Sequence, residues 1–243
     1  MTRDETTIFI SNSHCEDMTD YILKKNLRLP KIIHFLNSYN LALAYKQSHY
    51  FNHLAAPSIN LIDGKALQIL CQIYFIRRLH HVRGADFMRG VLKKSPSSIH
   101  VFVCPNLDAA QSLRVSNELK YKINKSEFIV PPYTENLEDL MQSINAQISE
   151  HNPDFIWIGL GTPKQDILAT TLSKRYPNSF IVCVGAAIDF LAGTKSEAPK
   201  ICQRLGFEWL FRFIQEPSRL FRRYFIDSRH SMSLLLKDKI RVS

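Results

Sequence analysis

From residue 98 onward, short apolar runs alternate with longer segments of helical spacing. The runs rich in β-branched and aromatic residues predict strands at residues 99–104, 128–130, 155–161 and 180–186. Helical spacing follows residue 104, recurs at roughly residues 136–150, and starts again at Pro163. Strands that alternate with helices of this length need right-handed crossovers and form a parallel sheet. The sequence therefore predicts an α/β fold: a Rossmann-like, open, mainly parallel sheet with flanking helices.

Composition limits the class of protein. With 45% hydrophobic and 22% charged residues among 243, the chain has the composition of a soluble globular protein with one sizeable domain, or one domain with an appendage. Its five cysteines include no C-x-x-C pair, so we expect reduced thiols in a cytoplasmic protein. The first residues are not a basic stretch followed by an apolar one, as in a secretory signal. No apolar run approaches the ~20 residues that span a bilayer. Any contact with a membrane is therefore expected at its cytoplasmic face.

The C-terminal segment is strongly basic. Residues 200–243 contain ten Lys or Arg against four Asp or Glu, which accounts for +6 of the formal net charge of +9. The strand-forming pattern stops before Pro199. We therefore predict an α/β core over residues 1–195 and a basic, helical C-terminal appendage over residues 196–243.

Past Pro217 the appendage has the spacing of an amphipathic helix. One predicted face carries Arg219, Arg222 and Arg223, and the other carries Leu220, Phe221, Tyr224 and Phe225. Such a helix suits an anionic membrane interface. Two other interpretations stay open: a helix packed on the core with a solvated basic face, and a nucleic-acid-binding module.

The loop "GLGTPKQ" follows the predicted strand at residues 155–161. Its two glycines fit the start of G-x-G-x-x-G, but Lys164 stands where the third glycine belongs, and the G-K-[ST] of a P-loop is absent. Thr162, Pro163 and Gln165 have the spacing of a capping box, which predicts a capped helix. The loop is therefore either a helix start alone or, at the carboxyl end of a parallel strand, the floor of a ligand site.

Asp63 is the carboxylate that most suggests catalysis. It ends the apolar run of "SINLIDGKAL", which predicts a buried strand, a loop and a helix, and Gly64 follows it. A lone carboxylate at a strand end suits a general base acting on a hydroxyl, although an N-cap or Asx-turn aspartate fits equally well. The chain has no D-x-D, and neither His49 with His53 nor the His80–His81 pair predicts a metal site. A leaving diphosphate would then need arginines.

Several motifs together resemble the WecG/TagA/CpsF family of bacterial glycosyltransferases. They are "IDGKAL", "IGLGTPKQD", "VGAAIDFLAG" and "EAPKICQRLGFEWLFRFIQEPSRLFRRY". The resemblance is dense over residues 156–224 and thinner over residues 35–87. It implies a metal-independent, inverting transfer of a hexosamine or related sugar from a UDP-sugar to a polyprenyl-diphosphate-linked sugar. It also implies a role in cell-surface polysaccharide synthesis, a peripheral location at the inner face of the cytoplasmic membrane, and a possible homo-oligomer.

The resemblance also implies roles for individual residues. Asp63 corresponds to the catalytic base, and Asn37 and Gln165 correspond to polar residues of the substrate pocket. Asp189 is expected near the nucleotide. The arginines expected to hold the diphosphate are Arg212, Arg219 and Arg222. No cofactor, metal or nucleic-acid partner is expected.

Some positions depart from the family pattern. Phe35 stands for a usual Thr, His81 for an Arg, Asp166 for a Glu, Glu197 for an Arg, and Cys104–Pro105 for a glycine pair. These departures leave the donor open. An N-acetylhexosamine of the N-acetylmannosamine type is the first expectation, and UDP-glucose or a UDP-uronic acid is the alternative.

Overall fold

The computed structural model describes residues 7–24, 31–134, 136–148 and 152–242. Eight strands form one open sheet in the order β5-β4-β6-β7-β2-β3-β1-β8, and every neighbouring pair is parallel. The strands are β1 (Ile8–Ile10), β2 (Ile32–Leu36), β3 (Ser58–Ile62), β4 (Ile99–Val103), β5 (Lys125–Ile129), β6 (Phe155–Ile158), β7 (Phe180–Cys183) and β8 (Ile240–Val242). The predicted Rossmann-like α/β fold is confirmed.

Helices connect the strands and cover both faces of the sheet. They are α1 (Cys15–Leu23), α2 (Ser38–Lys46), α3 (Ser48–Ala55), α4 (Lys65–Phe75), α5 (Gly84–Lys94), α6 (Leu107–Ser116), α7 (Leu137–Gln147), α8 (Lys164–Arg175), α9 (Ala187–Ala192), α10 (Lys200–Leu205), α11 (Glu208–Gln215), α12 (Pro217–Phe221) and α13 (Ser231–Leu236). The predicted end of α7 near Glu150 lies outside the described residues. The other predicted strands and helices of the core are present with shifted bounds.

Alternate residues of the central strands face two separate apolar layers. Phe102 and Trp157 pack with α1, α5, α6 and α9 on one face, while Val103 and Ile156 pack with α7 and α8 on the other. A strand buried on both sides has a continuous apolar sequence, as the apolar runs of β4, β6 and β7 predict. A third apolar cluster joins β1 and β8 to α2, α3, α4 and α13.

The predicted capping box at α8 is wrong. Pro163 occupies the N-cap position, and no side chain caps the helix. The Thr162 hydroxyl instead accepts a hydrogen bond from Asn40 Nδ2 at 3.0 Å. Because this side chain is engaged by α2, it does not turn back onto the first turn of α8.

The appendage differs from one regular helix past Pro217. The α-helix ends at Phe221 and continues as a π-helical turn, Arg222–Asp227, and a 3₁₀ turn, Ser228–His230. Arg219, Arg222 and Arg223 nevertheless line one cavity together. Arg219 and Arg222 are 54% and 80% exposed, whereas Arg223 is partly buried. After these turns, α13 packs against α2, and β8 pairs with β1 at the edge of the sheet.

The centre of the sheet determines where a ligand can bind. β7 and β2 are neighbours, but their other neighbours in the sheet belong to different halves of the chain: β6 and β4 lie on one side, and β3 and β1 lie on the other. In open parallel sheets, this reversal leaves a crevice at the carboxyl ends of the two strands. The loops after β2, β3, β6 and β7 all open into it.

Candidate active site

A cleft of about 220 Å³ occupies this crevice. Asn37 follows β2, Asp63 follows β3, Gly159–Gly161 follows β6, and Gly185 follows β7. The appendage closes the opposite wall. Six of the seven predicted site residues line the cleft, namely Asn37, Asp63, Gln165, Asp189, Arg212 and Arg219. The seventh, Arg222, instead lines a neighbouring basic cavity of about 420 Å³ with Lys46, Arg219 and Arg223.

Asp63 lies in a charged environment at the mouth of β3. Its backbone N–H donates to Leu36 O at 2.8 Å, and its carbonyl accepts from His81 Nε2 at 2.8 Å, so the backbone is fixed on both sides. Burial and the nearby Glu208 carboxylate together raise the pKa of the Asp63 carboxyl to about 7, against the opposite effects of Arg212 and Arg83. A carboxyl with a pKa near neutrality suits a general base.

Asn37 has a structural role in addition to its position in the cleft. Its Oδ1 accepts hydrogen bonds from Tyr39 N and Asn40 N, and the Asn37 backbone N–H donates to Asn40 Oδ1 at 3.0 Å. This capping box fixes the first turn of α2. A Cβ atom on Gly64 would lie 3.0 Å from Asn37 Cβ, so glycine allows the loops after β2 and β3 to approach closely.

The start of α8 is held by a buried hydrogen-bond chain. Asn40 Nδ2 donates to Tyr50 Oη at 2.9 Å and to Thr162 Oγ1, and the Tyr50 hydroxyl donates to Asp166 Oδ2 at 2.8 Å. His34 Nδ1 donates to the other Asp166 oxygen at 2.8 Å. These bonds position the turn that presents Gln165. Its Oε1 has no hydrogen-bond partner among the described residues and is free for a ligand.

A cluster of His34, Asp166 and Cys183 has the residue types and spacing of a metal site. Their potential ligand atoms are within 4.8 Å of one another, and all three residues are buried. Both Asp166 oxygens, however, already accept the hydrogen bonds from His34 and Tyr50. The hydrogen-bond chain therefore accounts for this cluster.

Arg83, which precedes α5, is a residue of the site that the sequence did not predict. Its guanidinium donates to Glu208, Glu197, Asp86 and Gln203 at 2.6–3.1 Å. Arg89 adds ion pairs to Asp86 and Glu197. Two residues that depart from the family pattern are explained here: Glu197 is held by Arg83 and Arg89, and His81 binds the backbone of Asp63.

Glu208 is the second missed residue, and the quoted motif E-W-x-x-R contains the signal. Glu208 begins α11 and Arg212 lies one turn later, so both point from one helix toward the same region of the core. The spacing of a Glu and an Arg at i and i+4 could have indicated this. Arg83 had no such pattern, because its four partners come from α5, the loop before α10, α10 and α11.

The arginines of the appendage differ in their partners. Arg219 forms an ion pair with Glu216, and Arg212 lies over the Phe190 ring at 5.8 Å. Arg223 lies over the Tyr39 ring at 4.3 Å. Among the described residues, neither Arg212 nor Arg223 forms an ion pair. Asp189, which also lines the cleft, accepts from the Thr194 hydroxyl and forms an ion pair with Lys195.

Large apolar side chains on the appendage face solvent. They include Ile201, Leu205, Phe207, Trp209, Ile214, Phe221 and Phe225. Within the described ranges, no helix combines the length and apolar character that crossing a bilayer requires.

An open parallel sheet with a carboxylate and arginines at its carboxyl edge defines the class of α/β group-transfer enzymes. The chain belongs to the glycosyl transferase WecG/TagA/CpsF family, whose family model matches residues 6–243. It is therefore a glycosyltransferase, as the resemblance implied. It is 22% identical over 233 residues to the N-acetylglucosaminyldiphosphoundecaprenol N-acetyl-beta-D-mannosaminyltransferase of Bacillus subtilis (strain 168), a match that covers 94% of this chain and 89% of the relative.

Proposed function

We propose that this glycosyltransferase moves an N-acetylhexosaminyl group, of the N-acetylmannosamine type, from a UDP-sugar to a polyprenyl-diphosphate-linked sugar. The observation that supports the proposal most is that Asp63 and the appendage residues Arg212 and Arg219 line one cleft. The name of the Bacillus subtilis relative supports both the transferred sugar and the acceptor class. UDP-glucose or a UDP-uronic acid is the alternative donor.

In the proposed reaction, Asp63 removes the proton from the acceptor hydroxyl. The hydroxyl oxygen forms a bond to the anomeric carbon from the face opposite the nucleotide, and the bond from that carbon to the diphosphate oxygen breaks. The electron pair and the negative charge leave with UDP, and the anomeric configuration is inverted. Arg212 and Arg219 stabilise that charge, and Arg222 contributes from the adjoining basic cavity.

Three polar residues orient the donor in this proposal. Gln165 offers its unpartnered Oε1 to sugar hydroxyls, and Asn37 lines the same cleft as Asp63. Asp189, paired with Lys195 in this cleft, would contact the nucleotide. No step needs a metal ion, because guanidinium groups take the charge that a divalent cation would otherwise neutralise.

The appendage would meet the membrane that carries the acceptor. Its exposed apolar side chains, together with Arg204, Arg219, Arg222 and Arg229, suit the anionic inner leaflet. We therefore propose a peripheral location at the inner face of the cytoplasmic membrane. Because the same segment supplies Arg212 and Arg219, docking on lipid would favour the complete site where acceptor is present.

The test is UDP release from a panel of UDP-sugars in the presence of a polyprenyl-diphosphate-linked sugar. We expect Asp63→Asn to lower release at least 10³-fold, while Asp139→Asn, on the exposed side of α7, leaves it unchanged. A chelator should not change the rate. Full activity of Asp63→Asn, or loss of activity with chelator and recovery with manganese, would refute the proposal.

A further inference from the structure

A second cavity, of about 310 Å³, adjoins the cleft on the appendage side. Five residues line both spaces: Asn37, Asp63, Glu208, Arg212 and Arg223. The walls of the second cavity include four aromatic side chains, Tyr39, Trp209, Tyr224 and Phe225. The two cavities therefore meet at the proposed base, and they differ in chemical character.

Arg223, with Lys65 and Arg212, contributes positive charge to the second cavity. Its guanidinium lies 4.3 Å from the centroid of the Tyr39 ring, and its Nε is buried without a hydrogen-bond partner among the described residues. Burial, with Arg212 and Arg219 nearby, lowers the pKa of Arg223. A partly buried cation without a counter-ion among the described residues is stabilised when an anion binds beside it.

The position of Asp63 between the cavities limits how two substrates can bind. A displacement with inversion needs the attacking hydroxyl on one side of the anomeric carbon and the leaving group on the other. Each substrate therefore needs its own space, and both spaces must include the base. The first cleft contains Gln165 and Asp189, whereas the second has aromatic walls that pack against sugar rings.

We propose that the second cavity binds the sugar diphosphate of the lipid-linked acceptor. Arg223 holds its diphosphate, and Trp209 and Tyr224 contact its sugar. This inference rests on the proposed function and assigns the acceptor side of the site. Exposed Phe207, Phe221 and Phe225 near the cavity provide an apolar surface for the prenyl chain. The donor diphosphate is the competing source of the same chemistry, and the experiment separates the two.

The kinetic test uses the full-length enzyme, a UDP-sugar and an N-acetylglucosaminyl diphosphate carried on a short, water-soluble prenyl chain. Arg223→Gln should raise the KM for this acceptor at least tenfold and change the KM for the donor less than twofold. Arg223→Lys keeps the charge but loses the planar guanidinium group, so its KM for the acceptor should lie between those of the wild type and Arg223→Gln. Arg241→Gln, which changes an exposed arginine of β8 outside the three cavities, is the matched control and should match the wild type.

A binding test needs no turnover. Trp157 is buried in the core and Trp209 lines the second cavity, so a ligand there should quench the fluorescence of Trp209 alone. We expect the acceptor analogue to quench wild-type and Asp63→Asn protein, with at least tenfold weaker affinity in Arg223→Gln and no quenching in Trp209→Phe. UDP should leave this signal unchanged.

Three results would overturn the inference. The first is that Arg223→Gln raises the KM for the donor without raising the KM for the acceptor. The second is that a folded Arg223→Gln protein has unchanged constants for both substrates. The third is that UDP quenches the fluorescence and the acceptor analogue does not compete with it. Analogue binding that persists in a protein without any transferase activity would refute the proposed function and leave the second cavity as a sugar-diphosphate site.

Discussion

The guanidinium of Arg83 binds both carboxylate oxygens of Glu208, through Nε at 3.0 Å and Nη2 at 3.1 Å. Arg83 directly precedes α5 in the core, and Glu208 begins α11 in the appendage. A fork-to-fork ion pair of this kind fixes orientation as well as distance. The segment that supplies Arg212 is therefore locked onto the core beside Asp63.

Removing this ion pair should loosen the appendage. Arg83→Met leaves Glu208, Glu197 and Asp86 without their shared cation in a largely buried setting. We expect the free energy of unfolding in urea to fall by about 2–4 kcal/mol. We also expect kcat/KM to fall, by a larger fraction of its wild-type value than the free energy of unfolding does. Arg204→Met, which removes an exposed arginine of α10, is the control and should change stability by less than about 0.5 kcal/mol. Equal stability of the two variants would contradict the prediction.

The activity should depend on the ionisation of Asp63. Because the pKa of this carboxyl is raised to about 7, kcat/KM should rise with pH up to about 7 and then level off. Glu208 raises this pKa by repulsion, so Glu208→Gln should move the midpoint of the profile to lower pH. A midpoint that stays in place, or moves to higher pH, would contradict the assignment of the base.

Asp63 should also make stability depend on pH. Its pKa is about 7 when folded and 3.8 in the ordinary reference state, so between these values the folded protein binds more protons than the unfolded chain. The free energy of unfolding therefore falls as pH rises through this window. Asp63→Asn removes that fall and should stabilise the protein by about 2 kcal/mol at pH 8, less than the full shift implies, because the side chain is open to the cleft. Urea unfolding at pH 5 and pH 8 measures the difference.

Gly64→Ala should disturb the site without unfolding the protein. The added Cβ would lie 3.0 Å from Asn37 Cβ, so the loop after β2 must shift by a few tenths of an ångström. We expect a tenfold or greater loss of kcat/KM and about 1 kcal/mol of stability. Gly90→Ala in α5, whose Cβ would meet the Thr19 side chain, is the control. It should lower stability by a similar amount with little change in kcat/KM.

Much of the core could be predicted because its strands are buried on both faces. β4, β6 and β7 have continuous apolar sequences, and each ends at a loop that the chain marks with glycine or proline. The edge strand β5 was only partly predicted, because Lys125, Ser126 and Glu127 do not share the apolar character of the strand's end. Polar residues are tolerated at an edge, so periodicity alone misses them.

The site was predicted less completely, because spatial partners are not encoded by local spacing. Asp63 was predicted from its place at the end of an apolar strand, whereas Asn37 and Gln165 were assigned only through the resemblance to the family. The π-helical turn after Phe221 could not be predicted, and within it Arg223 is partly buried while Arg222 is exposed. The Arg83 cluster joins residues more than 100 positions apart, and no periodic pattern records such a contact.

The pairing of β8 with β1 means that helices α10–α12 are attached to the sheet at both ends. A segment anchored in this way can separate from the cleft only by an internal rearrangement, and its arginines stay at a high local concentration near Asp63. The return of this segment and its arginines to the cleft is then a first-order process. Its rate should not change when the protein is diluted.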